Sequence, residues 1–413
     1  MINCDVAIIG AGPYGLSLAA HLNTLGVDHL VFGTPMEFWA NHMPPRMFLK
    51  SDGGSSDLSD PASSYTWPIF CAEQKLPFAV ERPIPSTEFV AYGRAFQRRM
   101  VTRLDTRNVR AVRRIGETFT IELEDGEMAG ARRIVVATGI APFRYIPEVF
   151  NALSPEQISH SVNYGPVDSL KGRKIAVVGS GASAVDLAAA INEAGIEVTL
   201  VARRDKLKFQ GAPESPPRKP PLYRRIMVPD SPVGGGWNHW FYCNLPLVYH
   251  ALPEARRLEI ARTALGPKSG WFMRERVEGK FTVLTGCDIR GASRVGNGLS
   301  LAFEHNGRRE EIKFDHVVAA TGYRPDLKRL SFLDAPLCDA IAVAGGAPKL
   351  TAHFASSVPE IYFLGGIAAP SFGPLMRFVA GARFAAHQAA RSLARRSARM
   401  HEPSPALSYA AGE

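Results

Sequence analysis

A short apolar strand that runs into a glycine-rich turn and then a helix leaves a chain few folds to choose from, and here the pattern occurs twice. Gly10-Ala11-Gly12-Pro13-Tyr14-Gly15 follows Val6 to Ile9 and leads into Leu16 to Leu22; Gly179-Ser180-Gly181-Ala182-Ser183-Ala184 follows Ile175 to Val178 and leads into Val185 to Ile191. In such a unit the glycines turn tightly and let backbone approach a pyrophosphate, which rests on the positive end of the helix. One copy alone is weak evidence, because a glycine-rich turn without a ligand shows the same pattern. Two copies, each with a strand before and a helix after, imply two dinucleotide cofactors on one polypeptide. The expected fold is α/β, with two Rossmann-type dinucleotide-binding domains.

At 413 residues the chain is long enough for two or three domains. No run of 18 apolar residues exists and no basic leader precedes a cleavable apolar core, so the chain reads as cytoplasmic, without stable membrane association. The net charge of +9 comes from dispersed arginines, densest at Arg391, Arg395, Arg396 and Arg399. That pattern fits a solvated helix face and attraction of polyanionic cofactors, and not a nucleic-acid surface. Cys4, Cys71, Cys243, Cys287 and Cys338 show no CxxC or CxxxxC spacing. Electron transfer to a cysteine pair, a zinc site and a secreted disulfide framework are all disfavoured, and no metal is expected.

Where the second strand of the first unit ends, such folds place an acidic residue for the ribose hydroxyls, but this chain reads Val31-Phe32-Gly33. A backbone contact from Gly33 or Thr34 could stand in. Residues 35–95, rich in Pro, Ser and aromatics, form a long irregular segment. Within it, Phe48-Leu49-Lys50-Ser51 either lies over a flavin ring or is a structural covering loop. Paired strands are expected at 111–115 and 118–123. Two further strands end in Ala137-Thr138-Gly139 and Ala320-Thr321-Gly322-Tyr323, which mark crossings between domains or are two ordinary turns. Between them, Val198 to Ala202 ends in Arg203-Arg204, whose guanidinium groups suit a ribose 2′-phosphate. NADPH is therefore preferred to NADH.

Residues 208–236 carry a Pro/Gly-dense stretch expected as a lid, followed by Trp237, Trp240, Phe241 and Tyr242, which line a substrate pocket or fill a core. Residues 245–263 read as helical. The chain returns through Ile361 to Leu364, Gly365-Gly366 and Ser371-Phe372-Gly373-Pro374, with a long helix expected from this proline to about Arg396. Its N-terminal end is a natural place for the edge of a reduced flavin. The expected division is 1–165 for the first part of the FAD domain, 166–315 for an inserted NADPH domain, 316–397 for the return segment and 398–413 for a flexible tail.

Gly10-Ala-Gly-Pro-Tyr-Gly, His160-Ser161-Val162-Asn163-Tyr164, Gly179-Ser-Gly-Ala-Ser-Ala and Ala320-Thr-Gly-Tyr occur in the order found in class B flavoprotein monooxygenases, which the chain resembles from residue 2 to about 395. That group includes flavin-containing monooxygenases, lysine/ornithine N-hydroxylases and Baeyer-Villiger monooxygenases. Only the HxxxY half of the family's FxGxxxHxxxY/W fingerprint is present, with Ser154 and Glu156 in the preceding positions.

The resemblance implies FAD at Gly10, Gly12, Pro13, Tyr14 and Gly15, with Thr138, Gly139, Gly366 and Phe372 near it. It implies NADPH at Gly179, Gly181, Ala182, Ser183, Ala184, Arg203 and Arg204, with Thr321 and Gly322. The implied reaction inserts one atom of O2 into a small organic substrate through a C4a-(hydro)peroxyflavin, preferably as N-hydroxylation. Baeyer-Villiger insertion, an NADPH-dependent flavin reductase and a flavin-binding sensor without turnover are the alternatives. Lys50, Ser51, Asp60 and Arg377 are the candidates for flavin or peroxide contacts, and a homodimer is the expected assembly.

Overall fold

The computed structural model describes residues 2–401 except residues 45, 81, 213–220, 267 and 306. Two sheets, one mixed and one parallel, organise the chain. The first has the order Leu104–Asp105, His29–Phe32, Ile2–Ile9, Met128–Val136, Thr118–Leu123, Val109–Ile115, with Ile361–Phe363 added along Met128–Val136. Met128–Val136 serves two neighbours on one edge: its beginning pairs antiparallel with Thr118–Leu123 and its end pairs parallel with Ile361–Phe363. The central strands are covered on both faces, which is why they read as unbroken apolar runs.

The second sheet is entirely parallel, in the order Thr282–Leu284, Val198–Val201, Ile175–Val178, His316–Ala319, Ile158–His160. Two of its strands, Ile158–His160 and His316–Ala319, lie beyond the 166–315 boundaries expected for an inserted domain. Three residues are too short a strand to show periodicity, so the first of these was invisible in the sequence. A three-stranded antiparallel sheet, Asp288–Val295, Gly298–His305 and Arg308–Phe314, packs beside it through Leu299, Leu301 and Phe303 onto Val178, Val201 and Val317.

The helix Gly381–His401 lies against the first fingerprint helix, Pro13–Thr24. Its buried face is Ala382, Ala385, Ala386, Ala389, Ala390 and Leu393, small side chains that allow a close helix approach. A fully buried Arg133 joins strand, return segment and last helix, donating to Asp5 Oδ2 and Glu360 Oε2, each at 2.7 Å, and to Ser397 Oγ at 2.8 Å.

Three expectations change. Residues 35–95 are not irregular throughout but contain the helices Glu37–Asn41, Trp67–Gln74 and Ser86–Met100, the last with an amphipathic pattern. The last helix begins at Gly381, not at Pro374, which instead opens a single turn of 3-10 helix, Pro374–Arg377. The 245–263 helix is broken into Pro246–His250 and Glu254–Thr263, because Pro253 cannot continue the first. Most of the expected lid's Pro-rich core, 213–220, and the end of the tail, from 402, lie outside the described residues; 398–401 belong to the last helix.

Candidate functional site

The first cavity opens where the first sheet's strands end, and each glycine of the fingerprint has a distinct reason to be glycine. Gly10 has φ +115°, and a Cβ there would sit 2.4 Å from Ala137 O. A Cβ on Gly15 would sit 1.9 Å from Gly10 O, so the helix could not close onto the turn. At Gly12 a Cβ would meet nothing within 4 Å: this position faces open space. Gly12 also caps Pro13–Thr24 without any side-chain acceptor, and Pro13 has no N–H to leave unpaired. A cradle that a side chain would fill, at an uncapped helix start, fits a pyrophosphate.

Thr138, Gly139, Gly366 and Arg377 line the same cavity, together with Tyr14, Gly33, Glu37, Trp39, His42 and Asn108. The Tyr14 hydroxyl lies 2.9 Å from Met376 O and 2.8 Å from Phe378 O, tying the fingerprint to the return segment. Burial holds its phenol well above the usual range. Arg377 Nη2 donates to Ala264 O at 2.7 Å, so the helical insertion closes on this wall. Phe372 lines neither cavity; it is stacked between Phe354 and His250, with ring centroids at 4.0 and 4.9 Å.

The second cavity repeats the plan. Gly179, Gly181, Ala182 and Ser183 line it with Arg203, Arg204, Thr321 and Gly322, while Ala184 is buried beneath. A Cβ on Gly179 would sit 2.4 Å from Ala320 O, the same close approach as Gly10 to Ala137. Sequence reading missed Arg324, which lines this cavity with its guanidinium 3.4 Å from the centroid of the Tyr145 ring. Its only signal was its place just after the second Ala-Thr-Gly-Tyr.

His160 holds the crossing between the two units. Its Nε2–H donates to Gly322 O at 3.0 Å, and Nδ1 accepts from Val162 N–H at 3.1 Å, so one neutral tautomer satisfies both bonds. Burial depresses its pKa to about 4, an effect the Gly322 carbonyl partly opposes. Tyr164 meets Ser159 Oγ at 2.8 Å and His316 Nε2 at 3.1 Å, joining two strands of the second sheet. The HxxxY residues thus act on the scaffold and line no part of the first cavity.

The four candidate catalytic residues are not brought together. Lys50 Nζ lies 2.5 Å from Asp186 Oδ2, on the helix Ala182–Glu193 of the second unit, and sits over the Phe272 ring. Ser51 Oγ bonds Ser56 Oγ at 2.8 Å within its own loop. Asp60 accepts from the backbones of Ala62, Ser64 and Tyr65 and from the Ser64 hydroxyl. Burial works against its charge, but these bonds outweigh it and hold the carboxyl below its usual range. Asp60 therefore organises a turn. Only Arg377 reaches the first cavity. Trp237, Trp240, Phe241 and Tyr242 line neither cavity and none is fully buried.

A parallel-sheet fold with two glycine cradles at strand ends defines an oxidoreductase of the two-dinucleotide class. Residues 7–226 match the model of the pyridine nucleotide-disulphide oxidoreductase family, and the chain belongs to that family. FAD and NADP(H) are its cofactors. A ferredoxin–NADP reductase of Granulibacter bethesdensis is 29% identical over 220 residues, 52% of this chain and 55% of that protein. The chain thus spans about half the length of the curated relatives it matches.

Among solved structures, the ornithine hydroxylase of Pseudomonas aeruginosa superposes with TM-score 0.75 at 18% identity, covering 96% of this chain and 100% of that one. The bacillithiol disulfide reductase of Staphylococcus aureus gives TM-score 0.62 at 19% identity, covering 96% and 99%. At such identities the likeness establishes the fold alone, one that an ornithine hydroxylase and a bacillithiol disulfide reductase share. Among the described residues no helix is long and apolar enough to cross a membrane, and no cluster of potential metal ligands occurs.

Proposed function

We propose that this chain is a FAD- and NADPH-dependent monooxygenase that inserts one atom of O2 into a small organic substrate, preferably by N-hydroxylation. The observation that carries the reading is a first cavity lined by no cysteine. All five cysteines are free, and burial raises each thiol, Cys4 to about 12. A reductase working on disulfides needs a thiolate beside the flavin, and this cavity offers none. The fold likeness to an ornithine hydroxylase across nearly the whole chain supports the same choice.

In this reading Gly12 and the start of Pro13–Thr24 hold the FAD pyrophosphate, and Gly181 with the start of Ala182–Glu193 holds that of NADPH. Arg203 and Arg204 hold the 2′-phosphate. Bound FAD supplies the chemistry that accepts hydride from NADPH and activates oxygen. Arg377 places a cation on the cavity wall, where it offsets negative charge gained on reduction. Lys50 and Asp186 fix the loop Phe48 to Ser51 against the second unit, and Ile9, Phe32, Phe332 and Val379 keep the cavity apolar and dry. The working form in this reading is a cytoplasmic homodimer.

The curated relatives favour a second reading, an NADPH-dependent reductase that passes electrons to a protein or quinone. Turnover with NADPH and isotopically labelled O2 across amines, sulfides and ketones separates the two. The monooxygenase yields one labelled oxygen per NADPH; a hydroxylated amine supports N-hydroxylation and an ester the Baeyer-Villiger alternative. Full NADPH consumption with acceptor reduction and no labelled product would overturn the proposal.

A further inference from the structure

The absence of an acidic residue at Gly33 leaves the adenosine ribose of FAD without its usual partner. We propose that Glu37 supplies that carboxylate. The inference rests on the reading that FAD occupies the first cavity.

Gly33 cannot be assisted by its neighbours in the ordinary way. It has φ +113°, and its N–H is already given to Asp105 O at 2.8 Å. The nearby Asp105 carboxylate is engaged by the Arg107 guanidinium, with Nε at 3.0 Å and Nη2 at 2.6 Å, and does not line the cavity. The loop after Gly33 instead doubles back. Met36 adopts the left-handed conformation, φ 61°, which is unfavourable for a residue with a side chain, and its N–H donates to Ala11 O at 3.0 Å. Its fully buried side chain packs where Gly93 has no Cβ; one added there would sit 2.5 Å from Met36 Cγ. A glycine on the helix Ser86–Met100 thus makes room for a methionine pinned to the fingerprint. Backbone held in such a conformation by its surroundings is a mark of function.

The residue positioned by this device is Glu37, the first of the helix Glu37–Asn41. Of all residues lining the first cavity, it alone carries a carboxylate. Among the described residues its carboxylate has no ion pair or hydrogen bond. A ribose diol offers two adjacent O–H donors to two carboxylate oxygens, and charge-assisted bonds of that kind are strong. A pyrophosphate would be repelled, so the charge belongs with the nucleoside, on the side where Gly33, Thr34 and Asn108 also face the cavity.

The full chain, freed of flavin, is titrated with FAD and with its 2′,3′-dideoxyadenosine analogue, following quenching of flavin fluorescence. Wild type should bind the analogue about tenfold more weakly than FAD. Glu37→Ala and the isosteric Glu37→Gln should bind FAD about tenfold more weakly and lose most of the discrimination, while the melting temperature of the flavin-free protein stays unchanged. Gly12→Val provides the control for location. If Gly12→Val abolishes FAD binding but Glu37→Gln binds FAD and discriminates as wild type does, the Glu37 inference falls alone. If FAD binds regardless of Gly12, the assignment of the first cavity falls with it.

Discussion

Replacing Asp186 by Asn removes the charge that faces Lys50 across the two dinucleotide units. The pair is close, 2.5 Å, with side-chain exposures of 3% for Asp186 and 19% for Lys50, so neither is fully screened by water. At an effective dielectric of about 20 the attraction is roughly 7 kcal/mol, a ceiling that desolvation of both ions largely offsets. What the variant measures is the cost of leaving Lys50 unpaired over the Phe272 ring, typically about 3–5 kcal/mol; the partial exposure of Lys50 favours about 3. With an unfolding entropy of roughly 2 cal/mol/K per residue, this lowers the melting temperature by about 3 °C. Lys50→Met with Asp186→Leu, which removes both charges, should melt within about 1 °C of wild type. Lys50→Met alone and Lys50→Met with Asp186→Asn complete a four-protein cycle with wild type and Asp186→Asn, read by urea unfolding. If Asp186→Asn costs under about 1 kcal/mol, or the two single losses simply add, the clasp contributes nothing and the reasoning fails.

Gly12→Val should fold but come out colourless, because the side chain enters open space meant for the pyrophosphate, whereas Gly15→Ala should lose stability even without flavin, its Cβ clashing with Gly10 O; absorbance and melting distinguish them, and a yellow Gly12→Val refutes the first. Arg203→Ala with Arg204→Ala should raise the KM for NADPH about tenfold or more and leave NADH nearly unaffected, and equal losses would sink the 2′-phosphate role. His160 is depressed to about 4 while the unfolded chain protonates near 6.5, so its contribution is whole above pH 6.5 and disappears as the pH falls from 6.5 toward 4, by up to about 3 kcal/mol. His21, buried beside Ser59 and also depressed to about 4, acts in parallel. Urea melts at pH 7 and pH 5 should show a smaller loss for His160→Gln than for wild type, and an equal loss would assign the sensitivity elsewhere.

Both glycine fingerprints and the return strand were legible in the sequence because local chemistry determines them. A turn that brings Gly10 against Ala137 tolerates no Cβ, and strands buried on both faces must be apolar. What escaped depended on distant partners. Lys50, one of the candidates for a flavin contact, bonds Asp186, 136 residues on, and no local pattern announces that partner. Asp60 is a buried acid whose oxygens are consumed by its own turn, and nothing in Asp60-Pro61-Ala62-Ser63-Ser64 alone separates that from a catalytic carboxylate. Phe372 sits near the glycines in sequence, yet its ring is claimed by Phe354 and His250. Glu37 went unnoticed because the expected acid stands at a strand end, and only the left-handed Met36 carries this one back to the fingerprint.

The strand Ile361–Phe363 and the helix Gly381–His401 finish a sheet and a core begun at Ile2. On a ribosome, the first fingerprint emerges more than 300 residues before the segment that covers it, a delay on the order of tens of seconds. The second sheet draws all its strands from Ile158 to Ala319, and all of them are synthesised before Ile361. Order of maturation is therefore expected to invert order of synthesis: the segment Ile158–Ala319 settles first, and Ile2–Val136 closes with Ile361–Phe363 and Gly381–His401 last.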